Sequence, residues 1–499
     1  MSGLHRVAGR EGWKPARAMM VCALALTTVP LSAQPAQAQA KPAETQQPTP
    51  QNTPQDQQQP GAGAQVHTGT SSGLDLAERL RNLLADHQFP LLESELDKMP
   101  PEQAQFYRGI LANRNNDAKA SIEALEPLVD LVAASGDSAQ EKLLRKALAE
   151  DYLRLGDWSK AAKAYETLSS RLEDKLSADE RNEIEMPLKL LPLVAANPPM
   201  TAEPCDPFVL QVSKNPLGLT DIPVFVDGRS HTWMLDPTAP FNLISRSLAK
   251  EVGLKVSDEA ATIHTLTGRP IQVHAAVIPR FTIGGRLTLR SMTVFVYEDA
   301  DYYFPLSHYQ VEGVLGYPAL SALGSLTITA DATIKVRPTA QIEPPDKDDR
   351  LTRGARFFLD GDQVIVALGG AEPAGGKDAP QGPSAGQERM FAIDAGGQQT
   401  YFTSRYYEEH SGDFTGQKME LFAIPGTQSL PPQPAYIAET IPLPVGATTV
   451  HVHYVQVLTQ PLGDAALDDV YGVLGVDALD QLKSYTFDYR TMRFAVSPE

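Results

Sequence analysis

The chain has 499 residues, and its 43 basic and 61 acidic side chains give a formal net charge of −18 at pH 7. This acidic balance argues against a general nucleic-acid binder, because such proteins neutralise phosphates with basic side chains. Forty prolines and 36 glycines in a chain that is 42% hydrophobic indicate globular domains joined by Pro-rich linkers, and Cys22 and Cys205 are too few for a disulfide framework or a cysteine-based zinc site.

The first forty residues have the layout of a secretory signal peptide. Four basic residues precede an apolar stretch at 18–31, and small residues at 36–40 offer a cleavage site. The alternative is a membrane anchor, but a spanning helix needs roughly 20 apolar residues and this stretch is shorter. We therefore expect residues 1–40 to be removed and the mature chain to be periplasmic or secreted, with no transmembrane span.

Two regions of different composition follow. Residues 41–72 are rich in Gln and Pro and contain few large apolar side chains, so they cannot bury enough surface to offset the entropy of ordering. We predict a disordered spacer here. In residues 73–199, Leu, Ala, Glu, Lys and Arg recur at helical spacing, which predicts an α-helical domain.

One segment of the helical region resembles a tetratricopeptide repeat, a pair of antiparallel helices with small residues where they cross. The matching positions are Ala149, Tyr152, Leu155, Gly156, Asp157, Trp158, Ala161, Tyr165 and Leu168. A weaker copy starts 40 residues earlier, at Gly109, so an insertion would have to separate the two copies. The alternative is an ordinary helical bundle. In either case we expect this domain to dock a peptide or a protein partner.

After residue 199 the hydrophobic pattern changes to the period of two that is typical of β-strands. A polar, Pro-containing segment at 337–350 reads as a linker and divides this region into two halves, 206–336 and 351–499. The predicted fold class is multidomain α + β, in which an N-terminal helical domain precedes two mainly-β halves.

The two β halves repeat the same motifs in the same order. In the first half, a predicted strand runs into Asp236 and is followed by Ser245-Arg246 and a Gly-Val-Leu-Gly segment that ends at Gly316. In the second half, Asp394 is followed by Ser404-Arg405 and a Gly-Val-Leu-Gly segment that ends at Gly475. The offset is 158 residues at the aspartates and 159 at the serines and at the final glycines. One inserted residue therefore accounts for the whole difference.

This paired arrangement resembles the retropepsin-like and pepsin-like aspartic peptidases, in which a strand delivers an Asp-Thr/Ser-Gly loop and an apolar-apolar-Gly segment packs behind it. The resemblance implies two acid-protease-like lobes that share one cleft, with Asp236 and Asp394 as the catalytic pair. Two neighbouring carboxyl groups hold one proton between them, which lets one activate water while the other hydrogen-bonds the peptide carbonyl. The implied substrate is a peptide or protein, and no metal or organic cofactor is implied.

The same resemblance implies where a substrate binds. Thr238 and Gly396 lie in the two aspartate loops and would contact the substrate. Thr267 and Gly268 lie in a predicted hairpin between the first aspartate loop and Gly316, where the family keeps the flap that covers its substrate.

The two loops also depart from the family pattern. Pro237 stands in the Thr/Ser place, Thr238 stands in the Gly place, and Ala395 lacks the hydroxyl of the second loop. Proline removes a backbone N–H, and a β-branched side chain crowds a close backbone approach. These changes leave a second hypothesis open, namely a pseudopeptidase that binds peptides or acts as a scaffold with little turnover.

His451 and His453 lie two residues apart on a predicted strand and so share one face, where two imidazoles could bind a metal with a third ligand. No His-Glu-x-x-His segment accompanies them, and scattered strand histidines are commoner than metal sites. We therefore predict no metal site.

Overall fold

The computed structural model describes residues 71–264, 270–338, 354–361, 363–369, 388–397, 399–423, 432–445, 448–462 and 468–496. Within these ranges a helical region precedes a mainly-β region, which confirms the predicted α + β class at that level. The predicted signal peptide and most of the spacer and the linker lie outside the described residues. In the described part of the chain, no helix is long and apolar enough to cross a membrane.

The helical region begins inside the last two residues of the predicted spacer. The helices of this region are α1 (Ser71–Ala85), α2 (Phe89–Leu96), α3 (Pro101–Arg114), α4 (Ala118–Leu125), α5 (Val129–Ser135), α6 (Ser138–Leu155), α7 (Trp158–Leu172) and α8 (Ala178–Val194).

Short polar turns define where these helices start and stop. Asp117, Asp137 and Asp157 precede α4, α6 and α7, and each carboxylate accepts a hydrogen bond from a backbone N–H in the first turn. Gly156 ends α6 with φ of 71°, a left-handed conformation that glycine adopts without a steric cost. Because only two residues separate α6 from α7, these two helices fold back on each other and pack together.

The β region contains the following elements. In the first half they are β1 (Thr201–Ala202), β2 (Phe208–Gln211), β3 (Ser213–Lys214), β4 (Thr220–Val226), β5 (Arg229–Leu235), β6 (Leu243–Ser245), α9 (Arg246–Glu251), β7 (Ala260–His264), β8 (Pro270–Ile283), β9 (Leu287–Tyr297), β10 (Tyr303–Phe304), β11 (Tyr309–Gln310), β12 (Gly313–Leu315), α10 (Tyr317–Leu320), β13 (Ser325–Thr329) and β14 (Thr333–Arg337). In the second half they are β15 (Ala355–Asp360), β16 (Gln363–Leu368), β17 (Arg389–Ile393), β18 (Tyr401–Phe402), α11 (Ser404–His410), β19 (Glu420–Phe422), β20 (Gln433–Val445), β21 (Thr448–Leu458), β22 (Gly472–Leu474), α12 (Val476–Leu479), β23 (Ser484–Asp488) and β24 (Arg493–Val496).

Both halves use the same strand pairing around their aspartate. β12 runs parallel to β5 and antiparallel to β6, and β22 runs parallel to β17 and antiparallel to β18. β6 then pairs in parallel with β9, as β18 does with β21. The motif repeat in the sequence therefore corresponds to a repeat of strand topology.

The two halves also share a sheet. One end of this sheet has the strand order β15-β24-β23-β13-β14-β2, so β13 of the first half lies beside β23 of the second. These two strands run antiparallel. On one side β14 and β2 of the first half continue the sheet, and on the other side β24 and β15 of the second half continue it. The shared sheet joins the halves through backbone hydrogen bonds.

An aromatic side chain packs on a glycine beneath each aspartate. Trp233 is fully buried in the first-half core, and a Cβ added at Gly313 would lie 2.3 Å from its ring. Phe391, 158 residues after Trp233, is also fully buried, and a Cβ at Gly472 would lie 3.0 Å from its ring. These close approaches explain why each Gly-Val-Leu-Gly segment begins with glycine.

The helical and β regions pack into one compact unit. α8 packs against β7 and β8, and α3 packs against β15. At the second contact Arg114 pairs with Asp360 at 2.8 Å, His87 contacts the same carboxylate at 2.6 Å, and Phe89 meets Phe358 with ring centroids 4.8 Å apart. The helices therefore contact both β halves.

Candidate active site

The first aspartate loop follows β5 directly. The backbone N–H of Asp236 donates to Leu315 on the parallel neighbour β12 at 3.1 Å, which holds the end of the strand. The Asp236 carboxylate lies against the turn that follows it, and its Oδ1 accepts three hydrogen bonds. The donors are the Thr238 N–H at 3.0 Å, the Thr238 hydroxyl at 2.7 Å and the Ala239 N–H at 3.2 Å.

The second aspartate loop follows β17 with the same backbone geometry. The Asp394 N–H donates to Leu474 on β22 at 2.9 Å. The Gly397 N–H donates to the Asp394 carbonyl at 3.2 Å, as the Ala239 N–H does to Asp236 in the first loop, also at 3.2 Å. The two loops differ in their side chains, because Thr238 supplies a hydroxyl to its own aspartate and the second loop has only Ala395, Gly396 and Gly397 after Asp394.

The two carboxyl groups meet at Gly396. A Cβ added at this glycine would lie 2.6 Å from Asp236 Oδ2 and 3.6 Å from Asp394 Oδ1. A Cβ at Gly397 would lie 2.1 Å from Asp394 Oδ2. The second loop therefore needs glycine at both positions, because any side chain would occupy the space of the carboxylates. Both aspartates are partly accessible to solvent.

The environment raises the pKa of both aspartates, but by unequal means. Burial and the nearby Asp236 carboxylate raise the pKa of Asp394 to about 7, although hydrogen bonds from the N–H groups of Gly397 and Gly396 oppose this rise. Burial also raises the pKa of Asp236, while the Thr238 hydroxyl and the N–H groups of Thr238 and Ala239 counteract it by stabilising the ionised form. The Thr238 hydroxyl is the donor that the second loop lacks, so the first loop stabilises an ionised carboxylate more strongly and Asp236 is the member of the pair that ionises first.

Two residues that the sequence reasoning missed support the loops from behind. Asn242 Oδ1 accepts a hydrogen bond from the Gly316 N–H at 3.1 Å, and the Thr400 hydroxyl oxygen accepts one from the Gly475 N–H at 2.9 Å. The Thr400 hydroxyl in turn donates to Asp477 at 2.6 Å. Asn242 and Thr400 are 158 residues apart, so the offset of the aspartates could have identified them. A third missed residue, Tyr489, contacts the first loop from the opposite half.

The other predicted site residues fall in different places. Thr238 is 9% exposed and lies against Asp236. The hairpin predicted as a flap corresponds to β7 and β8, which pair from Ala260 with His274 to His264 with Pro270. Thr267 and Gly268 lie outside the described residues.

The side chain of His453 contacts a neighbouring strand. His453 Nδ1 lies 2.8 Å from the Thr440 hydroxyl across the β20–β21 ladder. Over the residues that the structure describes, no group of three or more His, Cys, Asp or Glu side chains is arranged to hold a metal ion.

Comparison with known proteins relates the first half to one family. Residues 222–319 match the family model described as aspartyl protease, a range that includes Asp236 and Gly316. This match supports a relationship to the aspartic peptidases. A search of the curated proteins found no match.

Solved structures also show weak similarity to the chain. Conglutin gamma from lupine seeds has 10% identity and a TM-score of 0.35, covering 59% of this chain and 96% of its own. Basic 7S globulin from soybean has 11% identity and the same TM-score and coverage. A retropepsin-like aspartic protease from Rickettsia conorii has 14% identity and a TM-score of 0.20, covering 28% of this chain and 94% of its own.

Proposed function

We propose that this protein is an aspartic peptidase-like hydrolase in which Asp236 and Asp394 form one catalytic dyad. The observation that carries the proposal is the convergence of the two carboxyl groups on Gly396 from loops of equal backbone geometry. On this proposal the two β halves are acid-protease-like lobes, and each lobe contributes one aspartate to the dyad. The family match over 222–319 supports the assignment of the first lobe.

The unequal environments of the aspartates assign their roles. Asp236, which accepts three hydrogen bonds, is ionised and takes a proton from a water molecule as that water attacks the peptide carbonyl. Asp394 is protonated and donates a hydrogen bond to the carbonyl oxygen, which stabilises the negative charge that develops there. Asp236 then passes the proton it took from the water to the nitrogen of the departing amine as the C–N bond breaks, which returns Asp236 to its ionised form and leaves Asp394 protonated. No covalent enzyme intermediate forms.

The substrate would be an extended peptide or protein segment that lies between the loops and the β7–β8 hairpin. An extended segment can pair its backbone with strand edges, so recognition would rest on main-chain hydrogen bonds and side-chain pockets. Thr238 and Gly396 would contact this segment from the aspartate loops, and Thr267 and Gly268, which come between β7 and β8 in the sequence, would contact it as well.

We also propose a role for the rest of the chain. The N-terminal leader pattern supports export to the periplasm or secretion, and the repeat-like positions from Ala149 to Leu168 support a tetratricopeptide-like domain that docks a peptide or protein partner. Docking on this domain would bring a substrate or an assembly to the β module.

A second candidate function has its own supporting observation. Neither Pro237 nor Ala395 carries the hydroxyl that links the loops in the family, and a displacement of about 1 Å in a catalytic group can cost about 100-fold in rate. A pseudopeptidase would keep the cleft and bind peptides with little turnover.

Cleavage of a diverse peptide library from pH 3 to pH 8 separates these candidates. We expect cleavage by the wild-type chain and its loss in both Asp236→Asn and Asp394→Asn. Asp221→Asn is the matched control, because burial also raises the pKa of Asp221 but its carboxylate accepts hydrogen bonds from Asn215 and Tyr309. Peptide binding without cleavage would favour the pseudopeptidase, and cleavage that persists in both variants would overturn the dyad.

A further inference from the structure

Tyr489 reaches from the second half into the aspartate loop of the first. Its hydroxyl donates a hydrogen bond to the backbone carbonyl oxygen of Pro237 at 3.1 Å. Its own backbone N–H donates to Gly324 of the first half at 2.8 Å. Its ring is stacked on Phe487 and meets Tyr317 edge to face at 5.4 Å. Tyr489 is 4% exposed, so these contacts hold its phenol in one position.

The Pro237 carbonyl belongs to the same peptide group as the Thr238 N–H. That N–H donates to Asp236 Oδ1 at 3.0 Å. Because a peptide group is planar, a donor that fixes the carbonyl oxygen also fixes the direction of the N–H on the other side of the bond. A hydrogen bond to the carbonyl also polarises the group and strengthens the N–H as a donor.

We propose that Tyr489 is a positioning residue for Asp236, acting through the peptide group between Pro237 and Thr238. The Tyr489 hydroxyl orients and polarises this group, and the Thr238 N–H then stabilises the ionised carboxylate. The consequence for catalysis rests on the proposed function, whereas the hydrogen-bonded relay can be tested without turnover.

The composition of the first loop explains why such a donor is needed. Pro237 has neither a side-chain hydroxyl nor a backbone N–H, so the loop cannot tie itself to the second half. The link comes instead from Tyr489 in the second half. It has no counterpart on the other side, because the residue 159 positions before Tyr489 is Ala330. The relay therefore serves one aspartate, the member of the pair that ionises first.

The phenol of Tyr489 stays protonated, and so remains a donor, between pH 4 and pH 8. Burial raises the pKa of Tyr489 well above its usual value, and the neighbouring Tyr317 and Asp236 add to this effect. Burial likewise raises the pKa of Tyr317. The titrating groups that face the relay below pH 8 are therefore Asp236 itself and Asp394, whose carboxylate repels that of Asp236.

A double-mutant cycle between Tyr489→Phe and Asp236→Asn tests the relay, because Phe keeps the ring and removes only the hydroxyl. We expect Tyr489→Phe to raise the equilibrium constant for urea unfolding about tenfold at pH 8, where Asp236 is ionised. At that pH the Thr238 N–H, which the hydroxyl orients and polarises, donates to a charged acceptor, and hydrogen bonds to charged groups are the stronger ones. At pH 4 we expect a much smaller change. In the Asp236→Asn background this dependence on pH should disappear. Tyr485→Phe, on the strand β23 that precedes Tyr489, is the matched loss of a hydroxyl from another buried tyrosine and should show no coupling to Asp236.

Peptide cleavage supplies the second measurement. If the wild-type chain cleaves peptides, Tyr489→Phe should lower kcat about 10- to 100-fold with little change in KM, and the acid limb of the pH profile should move to higher pH. A chain without peptidase activity would contradict the proposed function but leave the unfolding cycle to decide the relay. An equal effect of Tyr489→Phe at both pH values and in both backgrounds would overturn the proposal, because a purely packing role predicts that result.

Discussion

Thr327 and Thr486 face each other across the boundary between the two β halves, with their hydroxyl oxygens 2.9 Å apart. They are 159 residues apart, the same offset as the paired glycines Gly316 and Gly475. They are also directly opposite in the antiparallel ladder of β13 and β23. Equivalent residues that pair in this way define a local two-fold axis between the strands. The axis explains why the two aspartates, equivalent by sequence, meet at one point.

The threonine pair at this axis should stabilise the junction of the halves. We expect Thr327→Val and Thr486→Val each to lower the free energy of unfolding by about 1 kcal/mol, because each leaves one hydroxyl without its partner. The double variant should lower the free energy of unfolding by less than the sum of the two single effects. Urea unfolding of the four proteins measures this coupling, and strictly additive effects would show that the two hydroxyls do not interact.

Gly396 should be intolerant of any side chain. Gly396→Ala places a Cβ 2.6 Å from Asp236 Oδ2, so one carboxylate must move. We expect peptide cleavage to fall about 100-fold or more while the circular dichroism spectrum is unchanged. Gly412→Ala is the control, since a Cβ there meets nothing within 4 Å. Retention of full activity in Gly396→Ala would contradict the convergence of the carboxyls at this residue.

The raised pKa of Asp394 makes the folded state less stable at high pH. The folded protein keeps this proton up to about pH 7, whereas the unfolded chain releases it near the ordinary value of about 4. Stability is therefore lost as the pH rises through this interval. Asp394→Asn cannot ionise, so we expect its Tm to exceed that of the wild type by about 2–4 °C at pH 8 and to equal it at pH 4. Calorimetry at both pH values checks this, and an equal Tm at pH 8 would contradict the raised pKa.

The contact between α3 and β15 should respond to pH in the opposite sense. Burial acts to raise the pKa of Asp360, but the charge of Arg114 and the hydrogen bond with His87 outweigh it and hold this pKa far below its ordinary value. The folded state then gains stability above about pH 4 and loses it as the pH falls through the lowered pKa.

Arg114→Met tests this contact. Because Arg114 is 7% exposed, its removal takes a buried guanidinium from the Asp360 carboxylate and leaves His87 as the neighbour in hydrogen-bond contact, and we expect a loss of about 3 kcal/mol in the free energy of unfolding at pH 7. Arg79→Met, which breaks an exposed pair with Glu95, is the control and should cost less than about 1 kcal/mol. Equal effects of the two substitutions on urea unfolding would show that the buried pair does not support the docking of the helices.

The repeated motifs in the sequence predicted more of the β architecture than composition alone could. A constant offset marks equivalent positions, so the aspartates, the Gly-Val-Leu-Gly strands and the order of pairing follow from local pattern. The helical region followed from its periodicity, although its repeat-like character stays a prediction. The helix at Ser71 begins earlier than predicted, because residues 71–72 join the amphipathic segment that follows them.

Other features depend on contacts between distant parts of the chain and have no local signal. The pairing of β13 with β23, the ion pair of Arg114 with Asp360 and the hydrogen bond from Tyr489 to Pro237 each join segments more than 150 residues apart. From the sequence alone, a tyrosine near a strand end is predicted to pack in the core. The substitution of Pro237 predicted the loss of a hydroxyl link but not the residue that supplies another.

The most direct test of a shared dyad is the binding of a peptidomimetic whose central secondary hydroxyl mimics the tetrahedral state of the cleaved bond. We would measure its affinity by calorimetry at pH 5 for the wild type, Asp236→Asn, Asp394→Asn and the control Asp221→Asn. If both carboxyls contact the hydroxyl, each dyad variant should bind about 100-fold or more weakly, and Asp221→Asn should bind as the wild type does. Undiminished affinity in either dyad variant would contradict a single site built from both aspartates.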